Sequence, residues 1–423
     1  NHHIRDGAQA PSLHSPLTRI LMKVLVINSG SSSLKFTLFS MADGEEKMIA
    51  SGQVERVGSD KPNLIYKRPD GFKIEVSPKV ANHADALKAV CGELVNPDHG
   101  VLKSLSEVSA IGHRVLHGGE KVTMPVLVTK EVKDIILECF PLGPLHNPAN
   151  LTGIEACEEI FPGVPNVAVF DTQFHQTMPP EAYLYAIPYD YYKKYGIRKY
   201  GFHGTSHHFV TNATAEFLGK KLEDTTIITC HLGNGCSMAA VKNGKVIDTT
   251  MGLTPLEGLM MGTRSGDMDP AAVIRLVQIG NTPDEVDTIL NKKSGLLGIG
   301  GIGSGDMRDM LNAASEGNQQ AKLAIKMFVR RVVKYVGAYF VLLGGVDALV
   351  FTGGIGEYSL PIREKIVSGL AALNVKLDPE KNKACFGKKG IISTDDSAWK
   401  LLVMPTNEEL MIARNVLSVL GSK

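Results

Sequence analysis

The sequence predicts an α/β protein that is built from two similar domains. Its 423 residues exceed the usual size of one domain, so two domains of roughly 150 to 200 residues each are expected. Short β-branched runs recur along the chain as buried strands, and each is followed by a glycine-rich turn. Amphipathic segments lie between these strands, at residues 131–140, 151–160 and 321–341. Strands that alternate with helices are typical of α/β architecture.

The first strand pair is predicted at residues 23–28 (KVLVIN) and 34–39 (LKFTLF), with a serine-rich turn at 29–33 between them. Hydroxyl groups beside Lys35 would suit a phosphate-binding hairpin. An ordinary serine-rich hairpin with a solvated lysine is the alternative for this segment alone. The recurrence of a similar pattern elsewhere in the chain favours phosphate binding.

A related pattern returns about 200 residues later. A strand at 226–230 runs into a glycine turn, and Asn243-Gly244 signals a hairpin between the next two strands. A third buried strand at 348–351 leads into the glycine-rich segment 352–357, with a helix expected from about Ile362. The chain therefore resembles a duplicated domain in its pattern of strands and turns.

The domain boundary is expected just after the buried strand at 167–170, where a Pro-Pro pair follows. We expect a first domain at 22–171 and a second at 172–406, with a C-terminal helix at 407–423 packing back on the first. Residues 1–21 lack periodicity and contain His2-His3, which suggests an expression-tag remnant. A transit peptide is the alternative for that segment.

The composition excludes several classes of protein. With 43% apolar and 21% charged residues the chain can bury a sizeable core. A formal net charge of +1 gives no overall field that would attract nucleic acid or an anionic membrane, so neither is expected as a partner. The most apolar stretch, residues 335–351, contains Gly344-Gly345 and Asp347 and falls short of a membrane span of ~20 residues.

The six cysteines are scattered and form no CxxC pair. This pattern favours reduced thiols and a cytoplasmic location.

The common nucleotide signatures are missing from the sequence. There is no GxxxxGK[ST] loop and no HRD or DFG pair of a protein kinase. Residues 298–303 match GxGxxG, but they follow a predicted helix instead of a strand, which disfavours a dinucleotide site. Another way of binding phosphate is needed.

Two arginines stand in glycine-rich surroundings, in GHRVLHGG at 112–119 and GTRSGD at 262–267. We expect loops to present Arg114 and Arg264, and two guanidinium forks suit a carboxylate or a migrating phosphoryl group. Surface salt bridges are the alternative. Asp171 ends a strand, where it can serve a magnesium ion or a nucleophile, or cap a helix.

Histidines and acidic residues complete the candidate chemistry. His203 and His207 have i, i+4 spacing but no HExxH, so hydrogen bonding to phosphoryl charge is favoured over zinc. The segment Thr406-Asn407-Glu408-Glu409 could cap the C-terminal helix.

Eight motifs in order make the chain closely resemble the acetate kinase family. The resemblance covers residue 22 to the C-terminus and leaves out the first 21 residues. The motifs are NSGSSSLKF (28–36), GHRVLHGGE (112–120), GPLHNPAN (143–150), VFDTQFH (169–175), YGFHGTSH (200–207), HLGNG (231–235), TPLEGLMMGTRSGDMDP (254–270) and PTNEEL (405–410).

The resemblance implies the actin-like ATPase (ribonuclease H-like) fold, with two similar α/β domains and an active-site cleft between them. It implies a homodimer, with the second domain binding nucleotide and dimerising. It also implies reversible, Mg²⁺-dependent transfer of a phosphoryl group from ATP to acetate, giving ADP and acetyl phosphate, with Mn²⁺ as a possible substitute for Mg²⁺.

Site residues follow from the matching positions. By resemblance the catalytic set is Asn28, Arg114, Asp171, His203 and Arg264. Acetate would contact Arg114 and His146, with an apolar methyl pocket formed by Leu116, Leu145, Phe202 and Pro255. Magnesium would contact Asn28 and Glu408. The nucleotide would contact Lys35, His231, Leu232, Gly233, Asn234, Gly235, Asp306, Met307, Arg308, Gly354, Ile355, Gly356, Glu357 and Tyr358.

Two departures from the family pattern bear on specificity. Leu116 stands where valine is usual, so the methyl pocket should be smaller and propionate a poorer substrate than acetate. Tyr358 stands where asparagine is common. A kinase for a longer carboxylate, a sugar kinase and a non-catalytic nucleotide switch are the alternatives. A phosphoenzyme route is the alternative to direct in-line transfer.

Overall fold

The computed structural model describes residues 21–42 and 44–421. The proposed tag remnant, apart from Leu21, lies outside these residues. Fourteen strands are described, and four short 3-10 helices lie between other elements. The strands are β1 Met22–Gly30, β2 Ser33–Ala42, β3 Glu45–Glu55, β4 Asn63–Lys67, β5 Lys73–Val76, β6 Val108–Val115, β7 Val126–Leu127, β8 Asn166–Phe170, β9 Thr226–Leu232, β10 Cys236–Lys242, β11 Lys245–Thr249, β12 Ala348–Thr352, β13 Gly390–Ile391 and β14 Lys400–Val403.

Fifteen α-helices are described around these strands. They are α1 His83–Leu94, α2 Lys130–Glu138, α3 Asn147–Ile160, α4 Pro180–Tyr183, α5 Tyr189–Tyr195, α6 Gly204–Phe217, α7 Pro270–Gln278, α8 Pro283–Lys292, α9 Gly295–Gly300, α10 Met307–Ser315, α11 Gln319–Leu343, α12 Gly353–Tyr358, α13 Leu360–Ser368, α14 Pro379–Ala384 and α15 Glu408–Gly421. The amphipathic segments expected to be helices are α2, α3 and α11, as predicted.

The strands form two sheets with the same core topology. The first has the order β5-β4-β3-β2-β1-β6-β8-β7, and the second β11-β10-β9-β12-β14-β13. In the first sheet β1 pairs antiparallel with β2 on one side and parallel with β6 on the other, and in the second sheet β9 pairs in the same way with β10 and β12. A further strand then pairs in parallel with β6 or β12, namely β8 in the first sheet and β14 in the second. The predicted α/β fold with two similar halves is confirmed.

The duplication places the carboxyl ends of the central parallel strands at one edge of each sheet. In open α/β sheets ligands bind at this edge. Strand β1 extends through Asn28 to Gly30, because its ladder with β2 continues to the pair Gly30–Ser33. The turn is therefore shorter than predicted, and Asn28 lies opposite Lys35 on β2.

The C-terminal helix α15 packs on the first sheet. Its buried residues Ile412, Ala413 and Val416 form one apolar cluster with residues of β1, β2, β6 and β8. Gly112 of β6 makes this close approach possible, since a Cβ there would lie 2.7 Å from Ile412 Cγ2 and 2.9 Å from Val416 Cγ2. The first turn of α15 carries Glu408.

The glycine-rich segment after β12 differs from prediction. We expected a turn followed by a helix from about Ile362, but the short helix α12 begins at once and α13 follows from Leu360. Glu357 holds this geometry, because its Oε1 accepts from Thr352 Oγ1 at 3.2 Å, Gly353 N–H at 3.0 Å and Thr406 N–H at 3.2 Å.

No helix in the described part of the chain is long and apolar enough to span a membrane. Residues 335–351 instead form the end of α11 and the buried strand β12, as predicted. Each of the six cysteines is free and buried.

Candidate active site

Three predicted site residues meet at the carboxyl edge of the first sheet. Arg114 lies in β6, between Asn28 of β1 and Asp171, which directly follows β8. The Nε and Nη2 atoms of Arg114 donate to the two carboxylate oxygens of Asp171 at 3.0 and 2.6 Å, and Nη1 lies 3.5 Å from Asn28 Oδ1. The neighbouring carboxylate raises the pKa of Arg114 above its usual value.

The prediction that a loop presents Arg114 was wrong. The ladder of β6 with β8 runs through the pairs Arg114–Val169 and Val115–Phe170. The ladder with β1, on the other side, ends one pair earlier at Ile27–His113, so the pairing with β8 carries the strand past the arginine. A strand in the middle of a sheet gives the guanidinium a more rigid base than a loop would.

Two asparagines that we did not predict hold these strand ends together. The Oδ1 atom of Asn150 accepts from Leu116 N–H at 3.0 Å, and its Nδ2 donates to Ser29 O at 2.7 Å. Asn147 Oδ1 accepts from His117 N–H at 3.1 Å. The motif GPLHNPAN was the feature of the sequence that could have pointed to them, since both asparagines lie in the first turn of α3.

Arg264 approaches from the second half of the molecule. Its Nη1 donates to Pro255 O at 3.3 Å, and no carboxylate among the described residues forms an ion pair with it. Burial lowers the pKa of this guanidinium from its ordinary value. A partly buried arginine without an anionic partner is suited to bind an anion from outside the protein.

His203 lies between the two halves, directly before α6. Its backbone has φ 54°, in the left-handed region that non-glycine residues rarely adopt, which is typical of functional positions. Nδ1 lies 2.8 Å from Ser237 Oγ, and the ring lies against that of His231, with centroids 4.2 Å apart and planes tilted by 30°. Burial, reinforced by neighbouring histidines and arginines, holds its pKa well below the usual range.

The two arginines act on the same region. The positive charges of Arg114 and Arg264 both lower the pKa of His203, after burial and the other histidines. They also act on His146, whose pKa is lowered mainly by burial. A Cβ at Gly235 would lie 3.4 Å from Arg264 Nη1 and 3.5 Å from His203 Nε2. The second arginine, the histidine and the glycine turn after β9 therefore border one space.

The residues of the expected methyl pocket differ in burial. Leu116 and Phe202 are 5% and 1% exposed and belong to one apolar cluster with the second sheet. Pro255 is half-buried. Leu145 is 61% exposed and lies outside that cluster.

Glu408 is a candidate for a cation site. It is half-buried at the start of α15, and no hydrogen bond or ion pair to another described residue engages its carboxylate. Burial raises its pKa to about 7, which Arg114 partly offsets. Oxygens of Glu408 and Asn28 are the hard donors that Mg²⁺ prefers, and substrate phosphates would supply further ligands. The described residues contain no cluster of three or more His, Cys, Asp or Glu that could hold a metal alone.

A cleft of about 760 Å³ opens in the second half, within the range of ligand sites. Eight of the residues predicted to contact nucleotide line it: Gly233, Asn234, Asp306, Met307, Arg308, Gly354, Ile355 and Tyr358. Six others were missed: Thr263, Gly305, Leu311, Ser359, Pro361 and Phe386. Phe386 packs edge-on against Tyr358, with ring centroids 5.2 Å apart, a contact between distant segments that no local motif signals.

The other predicted nucleotide residues do not line this cleft. His231 and Leu232 end β9, and Gly235 lies beside His203. Gly356 and Glu357 are buried in α12. Lys35 lies on β2, in a separate groove of about 370 Å³ that also contains Glu409.

Comparison with known proteins gives the relationship directly. The model of the acetokinase family matches residues 23–414. The chain belongs to the acetokinase family. Among its relatives, an acetate kinase of Clostridium novyi is 54% identical over 395 residues, which cover 93% of this chain and 97% of that protein. An acetate kinase of Thermotoga maritima is 54% identical over 396 residues, covering 93% and 98%.

Solved structures of acetokinase relatives have the same fold. The crystal structure of Porphyromonas gingivalis acetate kinase matches with a TM-score of 0.90 and 45% identity, over 94% of this chain and all of that one. A propionate kinase from Francisella tularensis matches with a TM-score of 0.87 and 42% identity, over 94% and 100%. The expected actin-like fold class is confirmed by these matches.

Proposed function

We propose that this acetokinase catalyses the reversible transfer of the γ-phosphoryl group of ATP to acetate, giving ADP and acetyl phosphate. The observation that carries this proposal is the pair Arg114 and Arg264, contributed by different halves of the molecule to one space. The glycine turn after β9 borders this space at Gly235 and the nucleotide-sized cleft at Gly233 and Asn234. The buried apolar side chains of Leu116 and Phe202 lie within two residues of Arg114 and His203 in the sequence. A sugar kinase would need polar groups for hydroxyls where these apolar side chains lie.

The chemistry mainly requires two anions to be brought together. Acetate is ionised at neutral pH and needs no strong general base. Arg114 would bind the carboxylate, while Arg264 and His203 would stabilise the equatorial oxygens of the migrating phosphoryl group.

Direct in-line transfer fits this arrangement better than a phosphoenzyme. Both oxygens of Asp171 are engaged by Arg114, so this carboxylate orients the arginine and is poorly available as a nucleophile. Stereochemistry at a chiral γ-phosphate decides between the routes: inversion is expected, and retention would support the phosphoenzyme.

Glu408 and Asn28 would hold Mg²⁺ together with the phosphates, and Mn²⁺ has similar ligand preferences. The bound ion would neutralise charge on the β- and γ-phosphates. Glu408 is well suited to this task, because its unpaired carboxylate would gain a cation partner.

The buried position of Leu116 favours the smallest carboxylate. An added methylene in an apolar pocket changes specificity by roughly 1–3 kcal/mol. A hydroxamate assay with ATP, Mg²⁺ and acetate, propionate or butyrate tests the proposal. We expect the highest kcat/KM with acetate; a preference for propionate would make the chain a kinase of the longer acid, and no turnover of any would refute carboxylate phosphorylation.

We also propose a homodimer that uses the face of α7. None of the residues of this helix is buried, and Ile274, Val277 and the following Ile279 are 58%, 40% and 59% exposed. Ile274 and Val277 are three residues apart and so lie on one side of the helix, and exposed apolar side chains of this kind are suited to a protein partner, here a second copy. Light scattering should give a dimer for the wild type and for Leu137→Glu, a control at an exposed position of α2, and a monomer for Ile274→Glu. A monomeric wild type would contradict this.

Three further expectations remain proposals. The free thiols fit the reducing cytoplasm. We propose that the division between the domains lies after Asp171; the packing of residues 173–177 against β11 and α6 supports this. No nucleic acid is expected as a partner, because the net charge is +1.

A further inference from the structure

A chain of buried polar side chains extends from His203 away from the cleft. His203 Nδ1 lies 2.8 Å from Ser237 Oγ, which lies 2.7 Å from His207 Nε2. His207 Nδ1 lies 2.6 Å from Thr229 Oγ1, which donates to Ala239 O at 3.5 Å. The side chains of Ser237, His207 and Thr229 are fully buried, so none of these three is in contact with bulk water.

We call this hydrogen-bonded chain from His203 to Ala239 O the relay, and the carbonyl at its end bears on the direction in which the hydrogen bonds are donated. A carbonyl oxygen can only accept, and the contact of Thr229 Oγ1 with Ala239 O, at 3.5 Å, is long for a hydroxyl donor. We take the hydroxyl proton of Thr229 to point to this carbonyl and not to His207, so that Thr229 Oγ1 accepts from Nδ1–H of His207. A neutral His207 then has a lone pair on Nε2, which accepts the proton of Ser237. The Ser237 oxygen is left to accept from Nδ1–H of His203.

We propose that Ser237 and His207 are positioning residues that hold neutral His203 in its Nδ1–H form, so that His203 takes up a solvent proton on Nε2 when the phosphoryl group binds. Without that proton, Nε2 would present a lone pair to phosphoryl oxygens, which are themselves acceptors. With it, the ring becomes an imidazolium that donates on both sides. The proton uptake on phosphoryl binding rests on the proposed function, whereas the tautomer of His203 in the free protein does not.

The surroundings of His203 explain why the proton is absent before binding. The groups that face it are His231 on β9, His207 on α6, and the guanidinium groups of Arg114 and Arg264. The backbone carbonyl of Asp171 accepts from N–H of Gly204, the residue after His203, but the carboxylate of Asp171 is paired with Arg114. Positive neighbours and burial disfavour the imidazolium, whereas an arriving phosphate anion favours it.

Long-range ¹H–¹⁵N NMR of histidine-labelled protein reads the tautomer without any substrate. The ring signals of His203 are assigned by their loss in His203→Asn. We expect Nδ1 to have the shift of a protonated nitrogen and Nε2 that of an unprotonated one near neutral pH. The opposite pattern in the free protein would overturn the proposed direction of the relay.

Calorimetry measures the proton uptake. MgADP and acetate are titrated with aluminium fluoride, as a phosphoryl stand-in, in buffers of different ionisation enthalpy. We expect uptake of about one proton per site in the wild type and none in His203→Asn. Binding with no uptake would refute the coupling.

Substitutions at Ser237 test the relay itself. In Ser237→Ala we expect mixed tautomers of His203, less proton uptake and a kcat about tenfold lower, with Ser237→Thr restoring the Nδ1–H form. Ser393→Ala is the control, since Ser393 is equally buried and accepts from Leu401 N–H at 3.1 Å, outside the relay.

If Ser237→Ala kept the wild-type tautomer, the role of Ser237 would be disproved. If Ser237→Ala did not fold, the tautomer of the wild type would still decide the direction of the relay. A negative hydroxamate assay with the expected tautomer would reject the proposed function and leave the positioning role standing.

Discussion

The two arginines of the site differ in what they contact inside the protein. Arg114 is paired with a carboxylate that is 3% exposed, while Arg264 contacts a backbone oxygen and no carboxylate of the described residues. Removing a partner from a buried ion pair leaves an uncompensated charge, which destabilises the fold. Removing Arg264 leaves no such charge. The two residues should therefore separate activity from stability.

We predict that Arg264→Ala lowers kcat by at least ~10²–10³-fold and leaves the melting temperature nearly unchanged. Arg114→Ala should lower both, with a loss in the free energy of unfolding on the order of 1–3 kcal/mol, since Arg114 is partly exposed. Hydroxamate kinetics and thermal melts measure the two effects. Near wild-type turnover of Arg264→Ala would refute its role.

Glu408 should make stability depend on pH in the absence of metal. Burial raises its folded-state pKa to about 7, so its favourable contribution is full below the unfolded value and is lost as pH rises through about 7. Glu408→Gln, which cannot ionise, should therefore melt at a higher temperature than the wild type in EDTA at pH 8, with a smaller difference at pH 6. An equal difference at both pH values would contradict this.

At the scale of elements, α12 depends on one carboxylate oxygen. Glu357 Oε1 accepts from Thr352, Gly353 and Thr406, which ties the helix to β12 and to the segment that carries Glu408. Tyr358 and Ile355 of the same helix line the nucleotide cleft. Glu357 therefore supports the cleft from behind.

We predict that Glu357→Gln is mild, because the amide oxygen can accept the same three bonds, and that KM for ATP changes less than about twofold. Glu357→Ala leaves buried donors unsatisfied, at roughly 1–3 kcal/mol each, and should raise KM for ATP and lower the melting temperature. Equal effects of the two substitutions would show that these hydrogen bonds do not matter.

The elements that sequence could predict are those that a local pattern encodes. Amphipathic periodicity predicted α2, α3 and α11, and Asn243-Gly244 marked a hairpin that has φ of 54° and 75°. The pattern could not show that α12 begins inside a glycine-rich segment, because Arg363 of α13 and Thr406 stabilise that helix through contacts from outside it. Asn150 was missed as a residue that holds the site together for the same reason, since its partners are 34 and 121 residues away.

At the scale of the whole molecule, the C-terminal helix α15 packs back on the first sheet. Glu408 reaches the first half because α15 packs on β6, and Gly112 permits that contact.

The family motifs predicted which residues belong to the site. The distances and pairings between them required the structure, because residues from six distant segments meet there.

We predict that Gly112→Ala lowers the melting temperature and raises the Mg²⁺ concentration needed for half-maximal activity. Its methyl group would overpack against Ile412 and Val416, at a cost of about 1–3 kcal/mol, and displace Glu408. Gly92→Ala on α1 is the matched control, since a Cβ there meets no atom within 4 Å and should be neutral or stabilising. Similar melts for both variants would contradict this account.

A crystal structure with MgADP, acetate and aluminium fluoride is the most direct measurement of the central claim. We predict that guanidinium nitrogens of Arg114 and Arg264 lie within hydrogen-bonding distance, about 2.7–3.2 Å, of the acetate and of the fluoride ligands. If either guanidinium pointed into solvent while all three ligands were bound, the claim that the two arginines act together on the phosphoryl group would be wrong.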